Sequence, residues 1–374
     1  MKILHTSDWH LGRLLHEKSL IEDQRHALGQ ILLIMKEDRH EALVVAGDVF
    51  DRSIPSVEGV GLFGWFLSEM RSFSSMPVII IPGNHDSAAR LSYCSDLLRI
   101  SNVFIQGDPQ RSGQPLVLGG EVGARVFMLP YLEPHAFTGE AGEEAKFTHE
   151  AAVRTAIDRM GAGNGERTID ILVAHLFTTG GAASDSERKF IGASGLVDPA
   201  LFTRFDYAAL GHLHRPQKIS ESAWYSGSLL KYSFSEAGDA KCVLSVDIKP
   251  GSAGVERIAI KPLRDMARIR GKLADLLAGR EFDAAQDCYC EAELTDPGLV
   301  TNPLALLRRR FPFILSVRQS SPESVFSERM VEAFTAERSL EDDFISFKRY
   351  LYSENPSADE MNMFRQICAE KTVE

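Results

Sequence analysis

The sequence predicts an α/β fold in which helices cover a largely parallel sheet, and two observations carry that prediction. Short apolar runs alternate with amphipathic helical stretches over residues 1–130. Five of the apolar runs also end abruptly in Asp, His or Asn, as strands do when they deliver polar groups to one edge of a sheet.

Taken in order, residues 2–6 form a strand that leads into Asp8-Trp9-His10, and a helix follows over about residues 19–37. That helix places Leu20, Ala27, Leu28, Ile31, Leu32 and Met35 on one face by i, i+3, i+4 spacing. A strand at 42–47 runs into Gly47-Asp48-Val49-Phe50-Asp51-Arg52; a helix at 57–72 and a strand at 77–81 lead to Pro82-Gly83-Asn84-His85-Asp86. Val103–Ile105 and Arg125–Leu129 continue the strands. Residues 136–168, with Gly139, Gly142, Gly161, Gly163 and Gly165 around one helical stretch at 145–160, read as a surface excursion. Ile171–Ala174 then ends in His175, and a polar loop through Thr178–Ser186 occupies a position where substrate contacts commonly sit. Tyr207–Leu210 ends in Gly211-His212-Leu213-His214. Strands at 206–210, 223–226, 241–248 and 255–260 close a first domain, 1–263. A small α+β unit, 264–322, carries a helix at 271–279, a strand at 288–294, a helix at 303–310 and a strand at 313–318.

Residues 325–374 are helical by pattern. Phe326, Met330 and Phe334 repeat at i+4, as do Leu340, Phe344 and Lys348, with Phe347 and Leu351 alongside. Asn355-Pro356 breaks the run before a last helix with Phe364, Ile367 and Cys368. This aromatic-rich stripe suits helix-in-groove recognition of a partner.

Composition narrows the class. The chain has 374 residues, enough for two or three domains, and 44% apolar with 25% charged content is that of a globular protein. No run of about 18 apolar residues offers a membrane span, and no signal-peptide pattern opens the chain, so the expected location is cytoplasmic with no membrane partner. Five scattered Cys do not read as a disulfide framework. The net charge of −11 is a weak argument against nucleic acid, because phosphate contacts come from Lys and Arg. Arg308-Arg309-Arg310 is a candidate DNA-backbone contact, although a basic run at a helix end also complements the macrodipole. No Gly-x-x-x-x-Gly-Lys-Ser/Thr occurs, so ATP dependence would come from another chain.

Asp8, His10, Asp48, Asn84, His175, His212 and His214 are the residue types that hold a pair of divalent cations about 3.5–4 Å apart, with one carboxylate between them. The absence of a thiolate among them points to Mn, Fe, Mg or catalytic Zn rather than a structural zinc. His85, one residue past Asn84, points elsewhere and is placed to assist a leaving group, with Asp51 as the first candidate partner and Asp86 as the second. Trp9 is expected in the pocket wall or core. His5 is expected to be packed in a strand, and His16, His26, His40, His135 and His149 to be solvated.

Together Asp8-x-His10, Gly47-Asp48-x-x-Asp51-Arg52, Gly83-Asn84-His85-Asp86, His175 and Gly211-His212-x-His214 resemble the motif set of the calcineurin-like metallophosphoesterases. Ile3–Gly12 and Tyr225-Ser226-Gly227-Ser228 resemble the bacterial nuclease subunits of that family. The likeness implies a two-sheet sandwich flanked by helices. Asp8, His10, Asp48 and His214 would hold one ion, and Asp48, Asn84, His175 and His212 the other. It also implies His85 acting on the leaving oxygen, two metal ions, most fittingly Mn2+, and cleavage of duplex DNA ends and hairpins. The nuclease subunits work as homodimers within a heterotetramer, and residues 325–374 would dock on the coiled coil of an ATPase partner. Asp51 stands where some relatives carry a His, which makes it the candidate holder of His85; Arg52 is a candidate phosphate contact. Two rival readings are a cyclic-nucleotide phosphodiesterase with the same metal site and a non-catalytic DNA- and partner-binding scaffold.

Overall fold

The structure is a computed structural model that describes residues 1–119, 123–134, 136–137, 148–161, 168–187, 195–319, 339–352 and 354–370. His135, Gly139, Gly142, Gly163, Gly165, Phe326, Met330 and Phe334 lie outside the described residues. The chain divides into two compact units, Met1–Asp265 and Met266–Glu374.

The first unit is a sandwich of two six-stranded sheets. One has the spatial order Ser252–Ala259, Cys242–Lys249, Lys2–Thr6, Ala42–Ala46, Val78–Ile81, Val103–Ile105. Its last four strands are parallel, and Cys242–Lys249 pairs antiparallel with both neighbours. The other runs Gln217–Lys218, Ala223–Tyr225, Tyr207–Gly211, Ile169–His175, Ala124–Leu129, Leu116–Leu118, with its four central strands parallel. Strands buried on both faces need unbroken apolar sequence, which is why Ala42–Ala46 and Val78–Ile81 show no polar alternation. Ile3, Val44, Ile79 and Ile81 face Val126, Ile171, Val173 and Ala209 across the sandwich. On the outer side of the second sheet, Ala152, Val153, Ala156 and Ile157 of the helix His149–Asp158 pack on Phe127, Leu172 and Leu210.

The helices Ile21–Glu37 and Val57–Phe73 pack on each other and bury Leu28, Ile31, Leu62, Phe66 and Met70. Trp9 is wholly buried against Phe66, with its Nε1 donating to Thr6 Oγ1 at 3.0 Å. His5 sits between the sheets with Nδ1 2.9 Å from the Tyr207 hydroxyl. His40 and His149, expected to be solvated, are buried. His40 Nε2 reaches Ser245 Oγ at 3.0 Å, and His149 lies under Tyr131, so neighbouring elements remove both rings from water.

The second unit has a three-stranded parallel sheet, Met266–Gly271, Tyr289–Leu294 and Ile314–Gln319, whose first strand sequence pattern missed. Leu276, Leu307 and Phe311 cover one face. Arg310 is committed inside this unit, to Leu276 O, Gly279 O and Asp283. The predicted helix 303–310 is a short one, Pro303–Leu307. Two further helices, Leu340–Tyr352 and Ala358–Glu370, pair through Phe344 stacked on Phe364 at 4.3 Å and through an Arg365–Glu341 bridge of 2.8 Å.

Candidate metal centre

Strand order brings the polar strand ends together. Three parallel neighbours of the first sheet end beside Asp8, Asp48 and Asn84, and two of the second end at His175 and just before His212. Beyond the strands the chain turns sharply, with left-handed backbone at Asp8 (φ 52°), His10 (φ 45°), Asp48 (φ 49°) and His212 (φ 108°). Each such residue costs on the order of 1–3 kcal/mol and persists only where its surroundings enforce it. Here main-chain bonds join the first two loops, from Asp8 N–H to Gly47 O at 3.0 Å, His10 N–H to Asp48 O at 3.0 Å and Leu11 N–H to Val49 O at 2.9 Å. Gln24 donates to His10 O at 2.7 Å, and the Asp86 carboxylate accepts N–H groups of Gly83, Val49 and Phe50 at 2.8–3.0 Å. Asp86 is therefore the brace of two ligand loops. Gly83 permits a close approach to the site, since a Cβ there would lie 2.2 Å from Asp48 Oδ1.

All seven candidate ligands meet. Asp8, His10 and His214 form one group, and Asp8, Asp48 and His175 an overlapping one. His10 Nε2 faces His214 Nε2 at 3.1 Å. Asp48 Oδ2, a member of the second group, also comes within 3.6 Å of His10 Nε2 in the first, and lies 3.5 Å from His175 Nε2. Asn84 Oδ1 is 3.1 Å from His175 Nε2 and 2.9 Å from His212 Nδ1. Every one of these side chains except Asn84 is buried. Buried nitrogens and oxygens facing one another this closely, with no thiolate, fit a pair of dications.

Electrostatics agree. Burial raises Asp8 to about 6, with His175 and His214 pulling against it. Burial also opposes the charged form of His175, yet Asp48 lifts it to about 9. Burial takes His212 down to about 3. Cation uptake would therefore displace a proton from His175.

His85 donates its main-chain N–H to Asp48 Oδ1 at 2.8 Å and places Nδ1 2.8 Å from the carbonyl oxygen of Asp51. The Asp51 carboxylate goes instead to Arg13 at 3.1 Å and stands 3.7 Å from His10 Nδ1. Arg13 also stacks over Tyr232. Arg52 is exposed beside Asp51.

Sequence reasoning missed the residues behind His214. The loop after His175, expected to meet substrate, sends Ser184, Ser186 and Glu187 inward, where they join Glu236 and Lys241. Burial works against the Glu236 charge, but the nearby His214 ring and the Lys241 ammonium hold its carboxyl well below the usual range.

Residues 1–216 match the calcineurin-like phosphoesterase family, and residues 262–354 match the type 5 capsule protein repressor C-terminal domain. The chain belongs to the calcineurin-like phosphoesterases and is a metal-dependent phosphoesterase. Along most of its length it is similar to the SbcD component of the nuclease SbcCD from Staphylococcus epidermidis, with 34% identity over 320 residues, 85% of each chain. Among solved structures, a dimetal phosphatase from Danio rerio aligns over 70% of this chain and 99% of its own, at 11% identity and a TM-score of 0.38.

Proposed function

We propose that this chain is the nuclease subunit of an SbcCD-like complex, hydrolysing phosphodiester bonds at DNA duplex ends and hairpins in DNA repair and recombination. The observation that carries the reading is one Asp48 oxygen within 3.6 Å of both His10 and His175, in a chain so extensively similar to an SbcCD nuclease component.

Asp8, His10, Asp48 and His214 would hold one divalent cation and Asp48, Asn84, His175 and His212 the other, with Mn2+ favoured by the mixed nitrogen and oxygen donors. Bound there, the pair supplies a water-derived nucleophile at neutral pH and offsets phosphoryl charge. His85 donates Nδ1–H to the Asp51 carbonyl, which aims Nε2 outward; as an imidazolium, with a second proton on Nε2, it would give that proton to the departing oxygen and be left neutral. Asp51 acts through that carbonyl, while its carboxylate holds Arg13; Arg52 is exposed to contact a substrate phosphate.

A second copy of the chain would cover the apolar residues Ile54, Val57, Tyr93, Leu97 and Ile100, all at least 66% exposed. They lie on neighbouring segments joined by Arg90 to Ser53 O and Arg71 to Ser101 O. An SbcC-like ATPase would dock on the helix pair 340–370, where Phe347, Met363 and Ile367 remain exposed. No helix among the described residues is long and apolar enough to cross a membrane.

The test is a manganese-supplemented assay on a hairpin-ended duplex, with and without a co-expressed SbcC-like ATPase, beside cyclic nucleotides. Hairpin opening that outpaces cyclic-nucleotide turnover supports the reading. Turnover of cyclic nucleotides alone refutes it.

A further inference from the structure

Behind His214 lies a buried polar set that metal ligation alone does not explain. Ser186 Oγ stands 2.6 Å from His214 Nδ1 and 2.6 Å from Glu236 Oε1. Glu236 is wholly buried, and its other oxygen takes Lys241 Nζ at 2.6 Å. Glu187 Oε1 accepts the His214 main-chain N–H at 2.8 Å, and Lys241 Nζ donates to the His214 carbonyl at 2.7 Å. His214 is thus held at ring, amide and carbonyl by residues remote from it in sequence.

The protons in this set follow from the inventory of donors. Glu236, paired with a buried ammonium, is a carboxylate and only accepts. The Ser186 hydroxyl has a single proton, and an ionised acceptor takes it in preference to a neutral one. The other oxygen within reach, Ser184 Oγ at 2.7 Å, is a neutral hydroxyl and so a weaker acceptor for that proton than the Glu236 carboxylate at 2.6 Å. The Ser186 oxygen therefore accepts from His214, whose Nδ1 must carry the hydrogen. The lone pair is then on Nε2, the atom that faces His10 Nε2 at 3.1 Å.

We propose that Ser186, backed by Glu236, is a positioning residue that fixes His214 in the tautomer a cation needs and so sets the affinity of the Asp8–His10–His214 position. This rests on the two-ion reading above and deepens it: the two ion positions are tuned separately, one of them by the loop that follows His175. Fixing a ligating imidazole from behind is typically worth 10- to 100-fold in metal affinity.

Two measurements test it. In metal-free protein at pH 8 with 15N-labelled histidine, the His214 signals, assigned by their loss in a His214→Asn variant, should show hydrogen on Nδ1. In Mn2+ titration calorimetry, Ser186→Ala should weaken one of two sites by 10- to 100-fold and spare the other, and Ser186→Thr should restore it. Unchanged binding by Ser186→Ala overturns the proposal, as does equal weakening of both sites, which would mark the loop as a general brace. If Ser186→Ala does not fold, the wild-type tautomer decides: hydrogen on Nδ1 supports the assignment and hydrogen on Nε2 overturns it. Wild-type protein that takes up no ion overturns the site reading itself, a result distinct from two ions bound with no effect of Ser186→Ala.

Discussion

Gly211→Ala tests how tightly the two sheets close over the ligands. Gly211 ends a strand of the second sheet, and a Cβ there would lie 1.9 Å from the carbonyl oxygen of Ala46, which ends a strand of the first. A carbon and an oxygen need about 3.3 Å, so something must move by roughly 1.4 Å. The atom in the way is backbone and cannot rotate aside. It also accepts from His175 Nδ1 at 2.8 Å, so displacing it breaks that bond. Overpacking a core costs about 1–3 kcal/mol and stranding a buried hydrogen-bonding group about 1–3 more, which puts the expected loss near 4 kcal/mol. The assay is urea unfolding of chelated protein followed by tryptophan fluorescence, because Trp9, Trp65 and Trp224 all belong to the first unit. Gly29→Ala is the control: it stands in the helix Ile21–Glu37 with open space at Cβ, and should be neutral or stabilising by up to about 1 kcal/mol. A Gly211→Ala protein as stable as wild type, with its Mn2+ affinity intact, would refute the geometry.

Three further outcomes are expected. Asp48→Asn should reduce Mn2+ stoichiometry at both positions in calorimetry, because Asp48 Oδ2 lies within 3.6 Å of both His10 and His175; retention of two tight ions would contradict this. His85→Gln should keep metal binding and lose about 100-fold or more in hydrolysis, whereas Asp51→Asn, which preserves the main-chain carbonyl that holds His85, should lose about tenfold or less; equal losses would return the role to the Asp51 carboxylate. His5, lowered by burial to about 3, is neutral in the fold, so its contribution is complete above its unfolded value near 6.5 and is lost as pH falls toward 3. Chelated wild type should therefore lose stability up to about 1.4 kcal/mol per pH unit faster than His5→Gln between pH 6 and 4, and parallel curves in urea titrations would show that His5 carries no such linkage.

The strands that position the site were legible because burial on both faces leaves an unbroken apolar run, as in Val78–Ile81, and because the polar residues that follow are local in sequence. The helix at Ile21–Glu37 was legible from its apolar spacing. Other features depend on contacts that no local pattern encodes. Glu236 and Ser186 meet His214 from 22 and 28 residues away, and Ser184-Asp185-Ser186-Glu187 reads as any polar loop until a neighbour turns it inward. The hold on His85 is a main-chain oxygen, which a search among side chains does not find. His40 and His149 looked solvated for the same reason, since the residues that bury them, Ser245 and Tyr131, come from elsewhere in the chain. Met266–Gly271 was missed because its alternation of Arg with apolar residues, open to water on one face, is short and weak.

The ligand groups draw on both sheets: His214 of one completes a group begun by Asp8 and His10 of the other, and His175 meets Asp48 in the same way. The seam between the sheets therefore doubles as a gauge. Any load that slides one layer past the other would alter the spacing of the donor atoms before a single strand came unpaired, so mechanical strain on this unit would register first as lost chemistry rather than as lost fold.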